Sequence, residues 1–465
     1  MRHFLLVILL MYISVLLYSQ PDTWENITAN GFNDSAQNTM PEVAVFKSFL
    51  YVASAPLGPG TAKLHRSATG NSGDWQEVTP PLQGDKSIHA FGTTMLDSGY
   101  IWCGTGSGNG CAIFRSTNGE TWLRISERGF GVPGLVGATP HMVLFQGPSD
   151  TIPHLYAGGI SHGGITPAQV WRIPYTSTDT SAWELVLDFA AIDSSVSIVS
   201  YFYVWNNVLY FGTDGSGQLW ESSDGVNFTQ NMYVGNGFGL PGNFVLSSFE
   251  VFNDTMYVTT TNRKGGQLWR SGDMMNWEQV TNNAFGEGSK VSELRSLRVA
   301  FNKLWVTAYT EPDSGSTGTP IWRSDDGATF IQSNTNGFGN SDNNGQNAVC
   351  IGFGNFEYLA GPNYVSGGQL WRTQMSTGIN ADLSNSSVNI FPNPVQDYLQ
   401  ISSKNIGVSE VQIYNFSGQM VFSSEYNSEK NLVIQCPETA QGIVFIKVLL
   451  DNNDVVYSKV LILNK

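Results

Sequence analysis

Cysteine is nearly absent, with four residues in a chain of 465. That number excludes a disulfide framework, and no Cys/His spacing suggests a zinc site. Charge is scarce as well. Charged residues make up 13%, with 23 Lys and Arg against 38 Asp and Glu, a formal net charge of −15. Basic residues form no cluster, so the electrostatic footprint of a DNA- or RNA-binding protein is missing. The apolar run Phe4–Leu17 is too short to span a bilayer, and no stop-transfer pattern follows it. No long stretch has helical period. What the chain has in abundance is glycine, 50 residues, and aromatics, including 13 Trp, a turn-dense β composition.

A repeat organises that composition. Seven times an apolar residue is followed by an aromatic or His and then, usually, by Arg and a small hydroxyl residue. The second positions are His65, Phe114, Trp171, Trp220, Trp269, Trp322 and Trp371, about fifty residues apart. Before each anchor stands a short aromatic and β-branched run ending in a polar turn, as in Asn206–Phe228, Asn253–Trp277 and Asn302–Phe330. Runs of that length bounded by Gly, Asn, Asp and Ser are strands. A further run ahead of each, such as Val199–Trp205 or Leu246–Phe252, makes four strands per unit, the size of a propeller blade. The seventh unit stops at Gly367–Thr373 without its trailing strand. Asp22–Phe32 matches the tails Met275–Phe285 and Ala328–Phe338, so the N-terminus is expected to complete the last blade. The expected fold class is all-β: a seven-bladed β-propeller followed by a small antiparallel β-sandwich.

The turns after the anchors carry a resemblance. Ser116–Trp122 (STNGETW), Ser222–Phe228 (SSDGVNF), Ser271–Trp277 (SGDMMNW) and Ser324–Phe330 (SDDGATF) resemble the Asp-box, or BNR, repeats of sialidase-like propellers. They are degenerate: one residue is lost from the usual spacing, Asn118 replaces Asp, and Met274 replaces Gly. The resemblance implies Asp and Ser side chains satisfying backbone donors in rim hairpins. Trp171–Pro174 (WRIP) also looks like the sialidase motif that supplies a substrate-binding Arg. The repeat assigns Arg172 instead to the slot of Arg66, Arg115, Arg270, Arg323 and Arg372, a blade anchor. Sialidases also have six blades rather than seven.

The C-terminal stretch has a different grammar. Asn389–Ser402 (NIFPNPVQDYLQIS), Val411–Ser423, Gly442–Leu450 and Val455–Lys465 alternate apolar and polar residues between Gly, Asn and Asp turns. The Pro-Asn-Pro opening, the turn at Ile413–Gly418, the Gly-hydrophobic-Phe strand and the final Lys resemble the C-terminal sorting domain of the type IX secretion system of Bacteroidota. That resemblance implies export across the outer membrane, release or attachment at the surface, and the type IX machinery as a partner through residues 389–465. The expected organisation is a signal peptide at 1–19, a propeller at 20–373 closed by its N-terminal strand, a linker at 374–388 and the sorting domain at 389–465. No membrane span is expected once the signal is removed.

Residues near the starts of inner strands face a propeller's central funnel. Glu42, His89, His141, Glu293 and Arg295 are the polar candidates there, with Glu250, a carboxylate among apolar neighbours in SSFEVF, as a sixth. Its register neighbour in the next blade is Arg298. Cys103 and Cys111 flank a predicted hairpin and are a candidate disulfide. The Asn- and Asp-rich segments Ser341–Gly345 and Asp451–Asp454 read as turns, not calcium loops. No cofactor or metal is expected. The functional expectation is an exported propeller that binds an extracellular glycan or protein without catalysis. Two alternatives stay open: a glycoside hydrolase or lyase working in the funnel through paired carboxylates, and an adhesion or scaffold protein.

Overall fold

The structure, a computed structural model, describes residues 21–462 apart from 29, 92–98, 133–135, 162–166, 311–314, 346–347, 376–387, 392–394, 396, 404–405, 416–419, 438–441 and 452–454. The expected signal peptide, most of the linker, the Pro-Asn-Pro motif, Gly418, most of Asp451–Asp454 and the terminal Lys lie outside the described residues. Two compact units divide the chain near Met375.

The first unit is a ring of seven four-stranded antiparallel blades. The inner strands are Thr39–Phe46, Ser87–Phe91, Met142–Phe145, Val199–Trp205, Val245–Phe252, Val291–Ala300 and Val349–Phe353. Each blade is covered on both faces by its neighbours, so its second strand is buried almost throughout and reads as a continuous run, as in Phe49–Ala55 (FLYVASA). The hairpins between first and second strands need two residues of positive φ. Asn206 and Asn207 (50° and 58°) and Asn253 and Asp254 (50° and 55°) supply them, which explains the Asn-rich turns. The last blade takes its outer strand from the other end of the chain: Trp24–Asn26 pairs antiparallel with Trp371–Thr373. Asp22 reaches the preceding blade, where Arg323 grips it through two hydrogen bonds of 2.8 and 3.0 Å.

Two side-chain devices couple successive blades. The first is the Gly-Phe segment that follows the outer strands of blades 2, 4, 6 and 7. Phe32, Phe130, Phe238 and Phe338 adopt φ of 56–59° and stack on the anchors His65, Trp171, Trp269 and Trp371 of the next blade, ring centroids 4.1–4.9 Å apart. A left-handed Phe costs about 1–2 kcal/mol. The stack and the apolar area it covers return more than that.

The second device is a tyrosine on the second strands of blades 3 and 5. Tyr156 and Tyr257 donate to the carbonyls of Gly225 and Gly327 at 3.1 Å, in the turn after the next blade's anchor. In those turns Asp224 Oδ1 accepts from the amides of Val226 and Asn227, and Ser222 Oγ from Gly225, with Asp326 and Ser324 doing the same. The hydrogen bonds hold Asp224 and Asp326 well below the usual carboxylate range.

Cys103 and Cys111 are both free, so the candidate disulfide is not formed. Cys103 is buried in the apolar cluster against blade 1, while Cys111 lies in the cluster against blade 3. The blade 2 sheet separates the two thiols.

The second unit is a sandwich of a three-stranded sheet (Val388–Phe391, Tyr398–Ser403, Asn431–Gln435) and a four-stranded sheet (Met420–Glu429, Val408–Tyr414, Gly442–Leu450, Val455–Ile462). Its strands alternate, as in Asn431–Gln435, where Leu432 and Ile434 are buried and their neighbours exposed. One face of each sheet meets water, and the other builds a core with Val411, Ile413, Val444 and Ile446.

Candidate functional site

All seven blades contribute residues, most of them from near the start of an inner strand, to a central cavity of about 180 Å³. Glu42, His89, Glu293 and Arg295 line it together, as do Ser200, Tyr201, Ser247, Ser296 and Arg298. His141 and Glu250 do not. His141 stands behind the wall, stacked on Tyr201 with ring centroids 3.8 Å apart, and its Nδ1 accepts from the Phe202 amide at 3.2 Å. Glu250 lies among the strands, where its Oε1 accepts from the Tyr203 hydroxyl at 2.7 Å.

Both acids on the cavity wall are engaged. Arg295 Nη1 lies 3.0 Å from Glu293 Oε1. Glu42 is 7% exposed, its Oε1 accepts from the Val43 amide at 3.1 Å, and Arg298 Nη2 stands 3.9 Å away. Burial raises Glu42 from 4.5 to about 7 in spite of Arg298. Burial also raises Glu250, again against the pull of Arg298. The sequence register set Arg298 opposite Glu250, yet its ion pair is with Glu42, and it donates to the Tyr201 hydroxyl and to the Leu297 carbonyl. The histidines are neutral at neutral pH: burial, assisted by Arg295 and Arg298 respectively, lowers His89 to about 4 and His141 to about 3.

Ser200, Tyr201, Ser247, Ser296 and Arg298 on the wall, and Glu357 behind it, were not among the sequence candidates for the site. Glu357 is fully buried on a second strand beside the Cys350 thiol, and burial lifts its carboxyl well above the ordinary range. The signal for it was present in NFEYLAG, a lone acid in an apolar run like that around Glu250. Arg172, of the sialidase-like WRIP, is far from this chemistry. It bonds Glu184 at 2.8 Å and Tyr156 at 3.4 Å within its own blade. Among the described residues no group of three or more His, Cys, Asp or Glu side chains is placed to hold a metal ion.

The Glu42 environment gives a pH signature. Its folded pKa lies above its unfolded value, so the protonated carboxyl contributes stability fully below pH 4.5, and the contribution is lost as pH rises through about 7. The shift corresponds to about 3 kcal/mol. Glu42→Gln should therefore flatten the decline in stability across this window, which denaturation at a series of pH values would show. Parallel curves for the two proteins would mean that Glu42 ionises normally.

Residues 389–463 match the family described as the secretion system C-terminal sorting domain. This is an exported protein. The tail directs it by the type IX route to the cell surface or the extracellular space. No described helix is long and apolar enough to cross a membrane. A curated relative, the endo-acting ulvan lyase of Formosa agariphila, is 32% identical over 88 residues, 19% of this chain and 17% of that enzyme. The match thus spans about a sixth of the relative's length. Similar solved structures include an ancestral GH74 enzyme (TM-score 0.45, 14% identity, 94% of this chain and 63% of that one). Another is the β-propeller domain of the Trilobed protease from Pyrococcus furiosus (TM-score 0.42, 6% identity, 73% and 96%).

Proposed function

We propose that the exported propeller is a recognition module that binds a glycan at the mouth of its central channel without turning it over. The cavity carries this reading. Its 180 Å³ lies below the range of about 300–1,000 Å³ usual for ligand pockets and is close to a void that admits one six-membered ring. One sugar residue fits, and a polymer does not thread through. The hydroxyls of Ser200, Ser247 and Ser296 and the Glu293–Arg295 pair suit hydroxyl recognition, and each wall acid faces a guanidinium group. The degenerate Asp-box reading belongs with this proposal, supported by the Ser and Asp hydrogen bonds of the rim turns. So do residues 1–19 as an export signal.

A hydrolase or lyase is the second reading, and one observation favours it: a carboxyl near pKa 7 is suited to general acid catalysis. A glycan array probed with the full chain, with every hit assayed for reducing ends and unsaturated products, separates the two. Binding without product is expected. Product formation that disappears in Glu42→Gln would replace recognition with catalysis.

A further inference from the structure

A second groove, of about 490 Å³, opens beside the channel mouth on blade 5, lined by Phe244, Asn262, Arg263, Lys264 and Gln267 among others. It adjoins the channel through the chain itself, since the next residues, Val245 and Thr261, line the central cavity. Arg263 and Lys264 are exposed, and among the described residues neither forms an ion pair, although acidic residues outnumber basic ones 38 to 23. The Arg263 guanidinium lies 5.9 Å from the centre of the half-buried Phe244 ring.

The repeat shows what is missing there. In blade 3 the Trp171 indole donates to Gln169 Oε1 at 3.2 Å, and Gln169 Nε2 donates to Asp188 at 3.1 Å. Blade 4 does the same with Trp220, Gln218 and Asp193, at 2.9 and 2.8 Å. In blade 5, Gln267 Oε1 accepts from Trp269 at 3.0 Å, Asn243 at 2.8 Å and Gln279 at 2.9 Å. An indole N–H only donates, so the amide oxygen is fixed on that side. The NH₂ group is left over: among the described residues nothing accepts from Gln267 Nε2, although the residue is only 5% exposed. Gln369 of blade 7 also bonds its Trp, at 3.1 Å, but the space beside it is only about 10 Å³. Blade 5 alone of these four combines the unused amide donor with two free cations and room for a ligand.

We infer that this groove binds the anionic group of an acidic polysaccharide, a sulfate ester or a uronate carboxylate. The ligand's oxygens accept from Gln267 Nε2 as the carboxylates of Asp188 and Asp193 accept from Gln169 and Gln218 in blades 3 and 4. Gln267 Nε2 orients the anion, Arg263 and Lys264 neutralise it, and the Phe244 face receives the sugar ring. The inference rests on the glycan-recognition reading and adds the charge of the ligand.

Affinity electrophoresis of the full chain through dextran sulfate, alginate or unmodified dextran tests it. Retardation is expected in at least one anionic gel and not in dextran. Dextran sulfate alone would identify the sulfate ester, alginate alone the uronate, and both a general anion site. Arg263→Ala/Lys264→Ala, at exposed positions, should weaken retention by about tenfold or more, the scale of one charge-assisted contact. Gln267→Glu keeps the oxygen that Trp269 needs and places a carboxylate between the cations, so it should weaken retention similarly. Retention unchanged in both variants, or no preference for anionic gels, would overturn the inference. If neutral glycans still bind on the array in that case, only the anion site falls. If no glycan binds at all, the recognition reading falls with it.

Discussion

Replacing Arg298 with methionine should destabilise the propeller by about 3–5 kcal/mol at pH 8, the cost of breaking a buried ion pair from one side. The guanidinium is set among Glu42, Tyr201 and the carboxyl of Glu250, deep on an inner strand, with Arg295 a more distant second cation for Glu42. Its loss leaves two buried acids with no positive neighbour of equal reach, and both respond by binding protons more tightly. The deficit should therefore shrink as pH falls, because a protonated carboxyl no longer needs the cation, and widen as pH rises through 7 and above. Denaturant midpoints of the wild type and Arg298→Met at pH 5 and pH 8 measure this directly. Adding Glu42→Gln to the methionine variant should restore part of the lost stability at pH 8. A deficit equal at both pH values, with no rescue, would make Arg298 a packing residue only.

Gly327→Ala should cost about 2–5 kcal/mol, the sum of left-handed strain and overpacking. Gly327 has φ of 73°, and an added Cβ would sit 1.9 Å from the Tyr257 hydroxyl oxygen. Tyr257 is 2% exposed and walled by the interface between blades 5 and 6, so it has nowhere to withdraw. Tyr257→Phe alone should cost about 1 kcal/mol through its lost hydrogen bond to the Gly327 carbonyl. Combined with Gly327→Ala, the same change should recover stability, because it removes the clashing oxygen. A double-mutant cycle on thermal midpoints reads that change of sign, and simple additivity would refute the close-contact argument. The chain holds a natural counterexample at Met274, φ 60°, which takes the Gly position in blade 5 and packs into the interface with Tyr210.

The blade count was legible because one geometric problem recurs in every blade: an anchor ring must be covered, and in six of the seven an Arg follows it. Trp269 and Trp371 announce their blades from sequence, while His65 does so only through its place in the period. The alternation of Leu399 and Ile401 with polar neighbours likewise marked the tail as a sandwich. The channel was read in part. Glu42, His89, Glu293 and Arg295 line the cavity because they sit near the starts of inner strands. Glu250 and His141 occupy similar stretches, but the pleat turns them into the strands behind the wall, and a one-residue change of phase is not visible without the register. For Glu250 the bulge between Leu246 and Ser248 supplies that shift of phase. The blade 5 groove was unreadable for another reason: it depends on what Gln267 lacks, and only a comparison of bonded partners among blades shows it.

Glu25 and Arg372 meet at 2.6 Å across 347 positions of sequence. Six blades are built from neighbouring hairpins, but the seventh waits for the two ends of the propeller to find each other, a contact of the kind that is slow to form. The protein therefore has an order of assembly as well as an architecture. Until the clasp shuts, the Gln369–Gln374 strand presents an open edge to any passing chain, and once shut the ring has no free end from which to fray. For a protein whose working life is spent outside the cell, that clasp converts a set of modest hairpins into a barrier against unfolding and proteolysis.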